Sequence, residues 1–183
     1  MKKPKLVSVF VLVVLLFGAK TSSTYTHDIG WRWDSLVSII TENRTSDFGS
    51  YLGSANADYN SNTDLTVYRC ADNGYCGNLI HLQANYGNTN WAAKADPYSD
   101  GNACATSGYC NTTDHRVDFA YVYWNNYYMP ISEQNHIMRH EMGHVFGLTH
   151  TPCGISSVMW GSCPSPWPQS LTDHDISDIN SYY

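Results

Sequence analysis

Eleven residues constrain this chain more than any others: His140-Glu141-Met142-Gly143-His144-Val145-Phe146-Gly147-Leu148-Thr149-His150, an HExxHxxGxxH spacing. On a helix His140 and His144 stand one turn apart, so both imidazoles leave the same face and can grip one ion. Glu141 lies about 100° further round, at the border of that face, where a carboxylate can act on water beside an ion without ligating it. Gly147 can stop the helix and turn the chain back, which brings His150 in as a third ligand. Three histidines leave one tetrahedral position open, the arrangement of a catalytic rather than a structural zinc. With only three Glu, eight His and thirteen Gly in 183 residues, chance gives this pattern in roughly one chain in 10⁵ of this composition.

The neighbouring residues agree with a helix here. Pro130 and Ser132 open it, Ser132 as a cap, and Glu133 suits its positive end. Met138, Met142, Val145 and Phe146 fall roughly opposite His140 and His144, so one side of the helix is core and the other faces a cleft. His136, one turn before His140, is read as solvated or hydrogen-bonded, because three ligands are already supplied. His27, His81, His115 and His174 have no partner at ligand spacing and are read as structural or exposed.

The start of the chain, basic from Met1 to Lys5 and apolar from Leu6 to Ala19, has the layout of a secretory signal peptide, residues 1–22, cut between 19 and 24. The apolar run is short for a membrane span. Residues 23–183 then make one domain, large enough to bury a core. Beyond Lys20, six basic residues face sixteen acids, a net charge of −10 with His neutral. That balance disfavours nucleic acid and anionic membranes as partners. In an exported chain the six cysteines read as disulfides, and proximity pairs Cys70 with Cys76, Cys104 with Cys110 and Cys153 with Cys163. Fifteen connectivities are open to six cysteines.

Upstream of the motif, His27 to Ile40 mixes a short strand at Ile29–Trp33 with an amphipathic stretch that starts a first helix, and Thr41 to Ser61 reads as helix end plus loops. Asp64–Cys70 and Asn78–Gln83 read as strands, Trp91–Ala95 as a short edge strand, and Val117–Trp124 as a central one. Asp96 to Cys110 reads as loop. Its Asp96, Asp100 and Asn102 offer oxygens of the kind Ca²⁺ takes, although the same residues favour turns for local reasons. Asn43-Arg44-Thr45 and Asn111-Thr112-Thr113 are N-glycosylation sequons.

From about Glu133 onward the chain resembles the metzincin clan of zinc endopeptidases. The motif is joined by Ser157-Val158-Met159-Trp160, similar to the clan's Met-turn, and by Leu171-Thr172-Asp173-His174-Asp175-Ile176-Ser177-Asp178-Ile179, similar to the C-terminal helix of matrixins. Gly161 stands where astacins and serralysins carry a tyrosine ligand, so the likeness is to the matrixin-like or adamalysin-like branches. The resemblance implies an α+β fold, with a mixed, mostly parallel twisted sheet packed on the active-site helix. It implies an upper subdomain to about residue 147 and a small lower subdomain, about 148–183, ending in a helix. It further implies one catalytic Zn²⁺ on His140, His144 and His150, Glu141 as general base, and Met159 as an apolar floor. Peptide would add as a strand along about Asn90–Ala95, with Trp91, Ala92 and Ala93 at substrate, and Trp160, Pro166 and Trp167 would wall the pocket for the residue after the cut.

Two departures from matrixins are visible. No counterpart of their second, structural zinc element is present, and no cysteine precedes Cys70 to act as a latency switch. The reading that follows is a secreted, monomeric zinc metalloendopeptidase acting on protein or peptide substrates. Its rivals are an inactive zinc-binding or protein-binding module, which would ordinarily have lost Glu141 or a histidine, and a structural zinc protein, which would close the fourth position with Cys or His.

Overall fold

The computed structural model describes residues 32–33, 38–70, 75–104, 116–128 and 133–183. The proposed leader and its cut, His27, Cys110, the Asn111 sequon, His115, Pro130 and Ser132 lie outside them. Among the described residues are six strands: β1 (Ile39–Arg44), β2 (Val67–Arg69), β3 (Leu79–Ala84), β4 (Ala93–Ser99), β5 (Asn102–Ala103) and β6 (Phe119–Asn125). Three helices accompany them: α1 (Gly49–Asn62), α2 (Gln134–Val145) and α3 (Asp173–Tyr182). The strands form one sheet in the order β2-β1-β3-β6-β4-β5. The first four run parallel, and β4 and β5 are antiparallel additions at one side. This is the mixed, mostly parallel sheet expected.

Side-chain alternation decides which face of the sheet is core. On β6, Ala120, Val122 and Trp124 are fully buried while Phe119, Tyr121 and Tyr123 stay partly exposed on the other face. Trp124 stacks on Phe48 at 4.7 Å, and its indole N–H donates to His81 Nδ1 at 3.2 Å. His81 is therefore structural, and its burial pushes its pKa down to about 3. The central strand begins two residues later than expected, because Val117 pairs only with Trp33 as an isolated bridge.

Two expectations for the first third are corrected. Ile39 and Ile40 open a strand and not a helix, and Thr41–Ser61 holds the rest of β1 together with all but the end of α1. The sequence of α1, GSYLGSANADYNSN, has weak helix propensity, and its buried stripe Leu52, Ala55, Asn56, Tyr59 includes a polar residue. Tertiary bonds sustain it: Asn56 Nδ2 donates to Thr41 Oγ1 at 2.6 Å, and the Tyr59 hydroxyl donates to the Arg139 carbonyl at 2.8 Å. Thr41 and Glu42 are buried in β1 despite their polarity, which hid the strand from a hydropathy reading.

The edge strand is also displaced. It starts at Ala93 and runs through Pro97 to Ser99, where a loop was expected. Ala92 and Tyr98 turn their carbonyls to β6, so the alternate residues Ala93, Ala95 and Pro97 turn their backbone groups outward. A proline is tolerated there because its missing N–H belongs to the open edge. Asp100 (φ 49°) and Gly101 (φ 78°) then make a tight hairpin turn into β5. Of the three residues considered for calcium, Asp96 pairs with Lys94 at 2.7 Å, and Asn102 Nδ2 donates to the Asp100 backbone carbonyl at 3.4 Å. Among the described residues, the one group of His, Cys, Asp or Glu side chains spaced to hold a metal is His140, His144 and His150.

Cys70–Cys76 and Cys153–Cys163 are disulfide-bonded as proximity suggested; the Cys104–Cys110 pairing falls outside the described residues. No described helix is long and apolar enough to cross a membrane.

Candidate metal centre

The three histidines converge through their Nε2 atoms, 3.1 Å between His140 and His144 and 3.2 Å from each of these to His150. Their other ring nitrogens set the tautomer. His140 Nδ1 lies 2.8 Å from the Val158 carbonyl and His144 Nδ1 lies 2.7 Å from the Leu148 carbonyl. A carbonyl can only accept, so each Nδ1 carries the proton and each Nε2 offers its lone pair to the shared centre. Lone pairs held this close repel one another unless a cation lies between them. A tetrahedral ion with nitrogen ligands at about 2.0–2.1 Å spaces those nitrogens about 3.3–3.4 Å apart, close to the triangle found. The group could therefore hold one metal ion.

Burial keeps the ligands neutral. His140 is 9% exposed, and desolvation, with neighbouring His144 adding to it, holds its pKa well below the usual histidine value. Desolvation lowers His144 to about 4 and also lowers the more exposed His150. Glu141, on the same helix, moves the other way: burial pushes its carboxyl up to about 8, against the lowering effect of the Ala95 backbone N–H that it accepts.

The third ligand arrives by a helix stop of a defined kind. Gly147 has φ 95°, its N–H donates to the His144 carbonyl at 3.1 Å, and the Leu148 N–H donates to the Gly143 carbonyl at 2.9 Å. That bond pair is a Schellman motif with glycine in the left-handed position. His150 then packs its ring over Gly161, where an added Cβ would come 2.9 Å from Nδ1 and 3.0 Å from Cγ. The absence of a side chain at Gly161 is thus a packing requirement of His150.

Met159 is fully buried beneath the site and touches α2 at Gly143, where a Cβ would meet its Sδ at 2.4 Å. The turn carrying it is anchored by Asp175 of α3, a fully buried carboxylate. Asp175 accepts from the Ser157 hydroxyl at 2.5 Å, the Val158 N–H at 3.0 Å, and the Thr172 N–H and hydroxyl at 2.9 and 2.8 Å. Because Val158 also presents the carbonyl that orients His140, α3 reaches the ligands through two residues. On the other side of α2, buried Arg139 pairs with Asp58 of α1 at 2.6 Å.

A cleft of about 450 Å³ opens over the histidines. Of the residues expected at substrate, Trp91, Ala92 and Ala93 line one lip and Trp160 and Trp167 the other, whereas exposed Pro166 does not line it. Both wall indoles are fixed by their N–H groups, Trp160 to the Ile155 carbonyl and Trp167 to the Cys163 carbonyl at 2.7 Å. His136 is 2% exposed, hydrogen-bonded through Nδ1 to the Pro168 carbonyl at 2.9 Å, and lines the cleft without joining the metal group. Glu133 and Tyr128 also line it and were not anticipated; helical spacing from His140 could have found Glu133, but nothing in the sequence marks Tyr128. No protein-family model matches this chain, and no curated protein matches it.

Proposed function

We propose that the chain is a secreted zinc-dependent endopeptidase of the matrixin-like metzincin type. The observation that carries this reading is the convergence of three Nε2 atoms beside a buried carboxylate, Glu141, at the open edge of β4. Zinc is the ion of choice for three neutral imidazoles; when bound, it supplies Lewis acidity that polarises a carbonyl and acidifies water at neutral pH.

The chain's own groups do the rest. Ala93 and Ala95 turn outward along β4, so an extended peptide adds there as a further strand, with its scissile bond over the histidines. Glu141, a carboxylate on the same helix as two of the histidines, takes a proton from water and returns it to the departing amine. Trp160 and Trp167 exclude water from one side of the cleft and bound the space for the residue after the cut.

Export is supported by the leader-like sequence and by two disulfides. The excess of acids argues against nucleic acid as a partner. An inactive module would have no use for an ionisable carboxylate kept beside the ligands.

The test is zinc analysis of the purified mature protein, run with casein and quenched-peptide assays with and without chelator. One zinc per chain, loss of hydrolysis on chelation and recovery with zinc are expected. Hydrolysis indifferent to chelator, or no stoichiometric zinc, would overturn the proposal.

A further inference from the structure

Five cleft-lining residues of the α2 region share one helical stripe: Glu133, His136, Ile137, His140 and Glu141, spaced i, i+3, i+4, i+7 and i+8. Seven positions separate Glu133 from His140, about 10 Å along the axis. Glu133 is the N-cap residue of α2, yet its side chain makes no cap hydrogen bond, so the helix end does not consume its carboxylate.

The other walls of this part of the cleft are aromatic. Trp167 has its indole N–H committed to the Cys163 carbonyl, and its ring lies 4.9 Å from the His136 ring. Trp91 is backed by Tyr86 at 5.2 Å, and Tyr128 adds a third ring. Among the described residues the lining holds two carboxylates, Glu133 and Glu141, and no lysine or arginine. Glu141 is taken up by the chemistry proposed for it. Ring faces with one unbalanced carboxylate are a receptor for a cation carried on an apolar stem.

We infer that the cleft beside the metal centre is a subsite for the side chain of lysine or arginine in the substrate residue that follows the cut bond. Glu133 is its specificity-determining group, and Trp91, Tyr128 and Trp167 are its walls. A lysine stem, about 6 Å long, carries the charge from a bond held at the histidines toward Glu133. The acidic balance of the whole chain draws such substrates in. This inference rests on the peptidase reading for the identity of its ligand.

The test uses the full zinc-loaded protein and quenched peptides that differ only at that position: Lys, Arg, norleucine, Phe, Ala or Glu, with cuts located by mass spectrometry. Lys and Arg should exceed norleucine in kcat/KM by about tenfold, and Glu should be worst. Glu133→Gln should bring the Lys-to-norleucine ratio close to one, and Glu133→Arg should reverse the order in favour of Glu. A second arm measures binding of the Lys and norleucine peptides to Glu141→Gln protein by tryptophan fluorescence. There Lys should bind about tenfold tighter, and adding Glu133→Gln should remove the difference. If the parent cuts no peptide but the binding difference holds, the peptidase reading fails and the cation subsite stands. If norleucine matches Lys in binding, or Glu133→Gln leaves the ratios unchanged, the subsite is overturned whether or not hydrolysis occurs.

Discussion

Replacing Gly143 by alanine sets two effects of known sign against each other. In a helix interior alanine is favoured over glycine by about 0.5–1 kcal/mol. Against this, the new methyl would come 2.4 Å from Met159 Sδ and 3.2 Å from its Cε, both in a side chain with no exposed surface. Such contacts need roughly 3.5–4 Å, so the thioether must retreat by about 1 Å into packed core, and overpacking of this kind costs about 1–3 kcal/mol. The net is a loss of about 1 kcal/mol, a fall in Tm of about 2–4 °C for a domain of this size. Zinc affinity should fall as well, because the turn that carries Met159 also carries the Val158 carbonyl that orients His140. The assay is thermal unfolding of chelator-treated protein by circular dichroism, across parent, Gly143→Ala, Met159→Ala and the double variant. Met159→Ala alone should cost about 2–5 kcal/mol. With Sδ gone, Gly143→Ala should become stabilising by its helix propensity, a reversal of sign that only a shared contact produces. A stabilising Gly143→Ala in the parent, or an equal effect in both backgrounds, would refute the argument.

Glu141→Gln should fold and retain zinc while losing on the order of 10²–10⁴ in hydrolysis rate, read by metal analysis and initial rates on one peptide; near-parental turnover would remove Glu141 from its role. Gly147→Val places a branched side chain at φ 95°, a strain of about 1 kcal/mol or more, and should weaken zinc binding in a graded chelator titration although no ligand is touched. His150→Ala should weaken it further by deleting one of three ligands, and parental affinity in that variant would place the third ligand elsewhere. His81 gives a pH signature: burial lowers its folded pKa to about 3 from 6.5, so the stability it contributes is present above pH 6.5 and is lost as pH falls toward 3. That loss is about 1.4 kcal/mol per pH unit. Denaturant unfolding of metal-free His81→Leu should show a stability slope between pH 6 and 4 shallower by one proton, and lower stability at pH 7 because the Trp124 indole N–H loses its acceptor; a parallel slope would mean that His81 does not titrate in this way.

Legibility in the sequence followed the range of the interactions concerned. The metal ligands were readable because α2 and its glycine stop hold all three within eleven residues, and the constraint on Gly147 is local backbone geometry. Gly143 and Gly161 were not readable in the same way, since what forbids a side chain at each is a packing contact outside its own helix or turn, with Met159 in one case and His150 in the other. The strand β1 and helix α1 were missed because Thr41, Glu42 and Asn56 are buried polar residues whose partners come from other elements. Hydropathy sees their polarity and not the bonds that cancel it. The passage of β4 through Pro97 follows from the open edge that the two-residue β5 leaves along Ala93–Pro97, which is a property of the whole sheet.

Asp175 has a consequence for the order of assembly. Two of the three imidazoles come with α2, but the carbonyl that steers His140 hangs from a turn held by Asp175 of α3. A chain whose α3 has not docked has the three histidines in sequence without the turn that orients His140. Docking of α3 and the convergence of the three imidazoles are then coupled, so an ion bound by that group would report on completed packing of the whole C-terminal third.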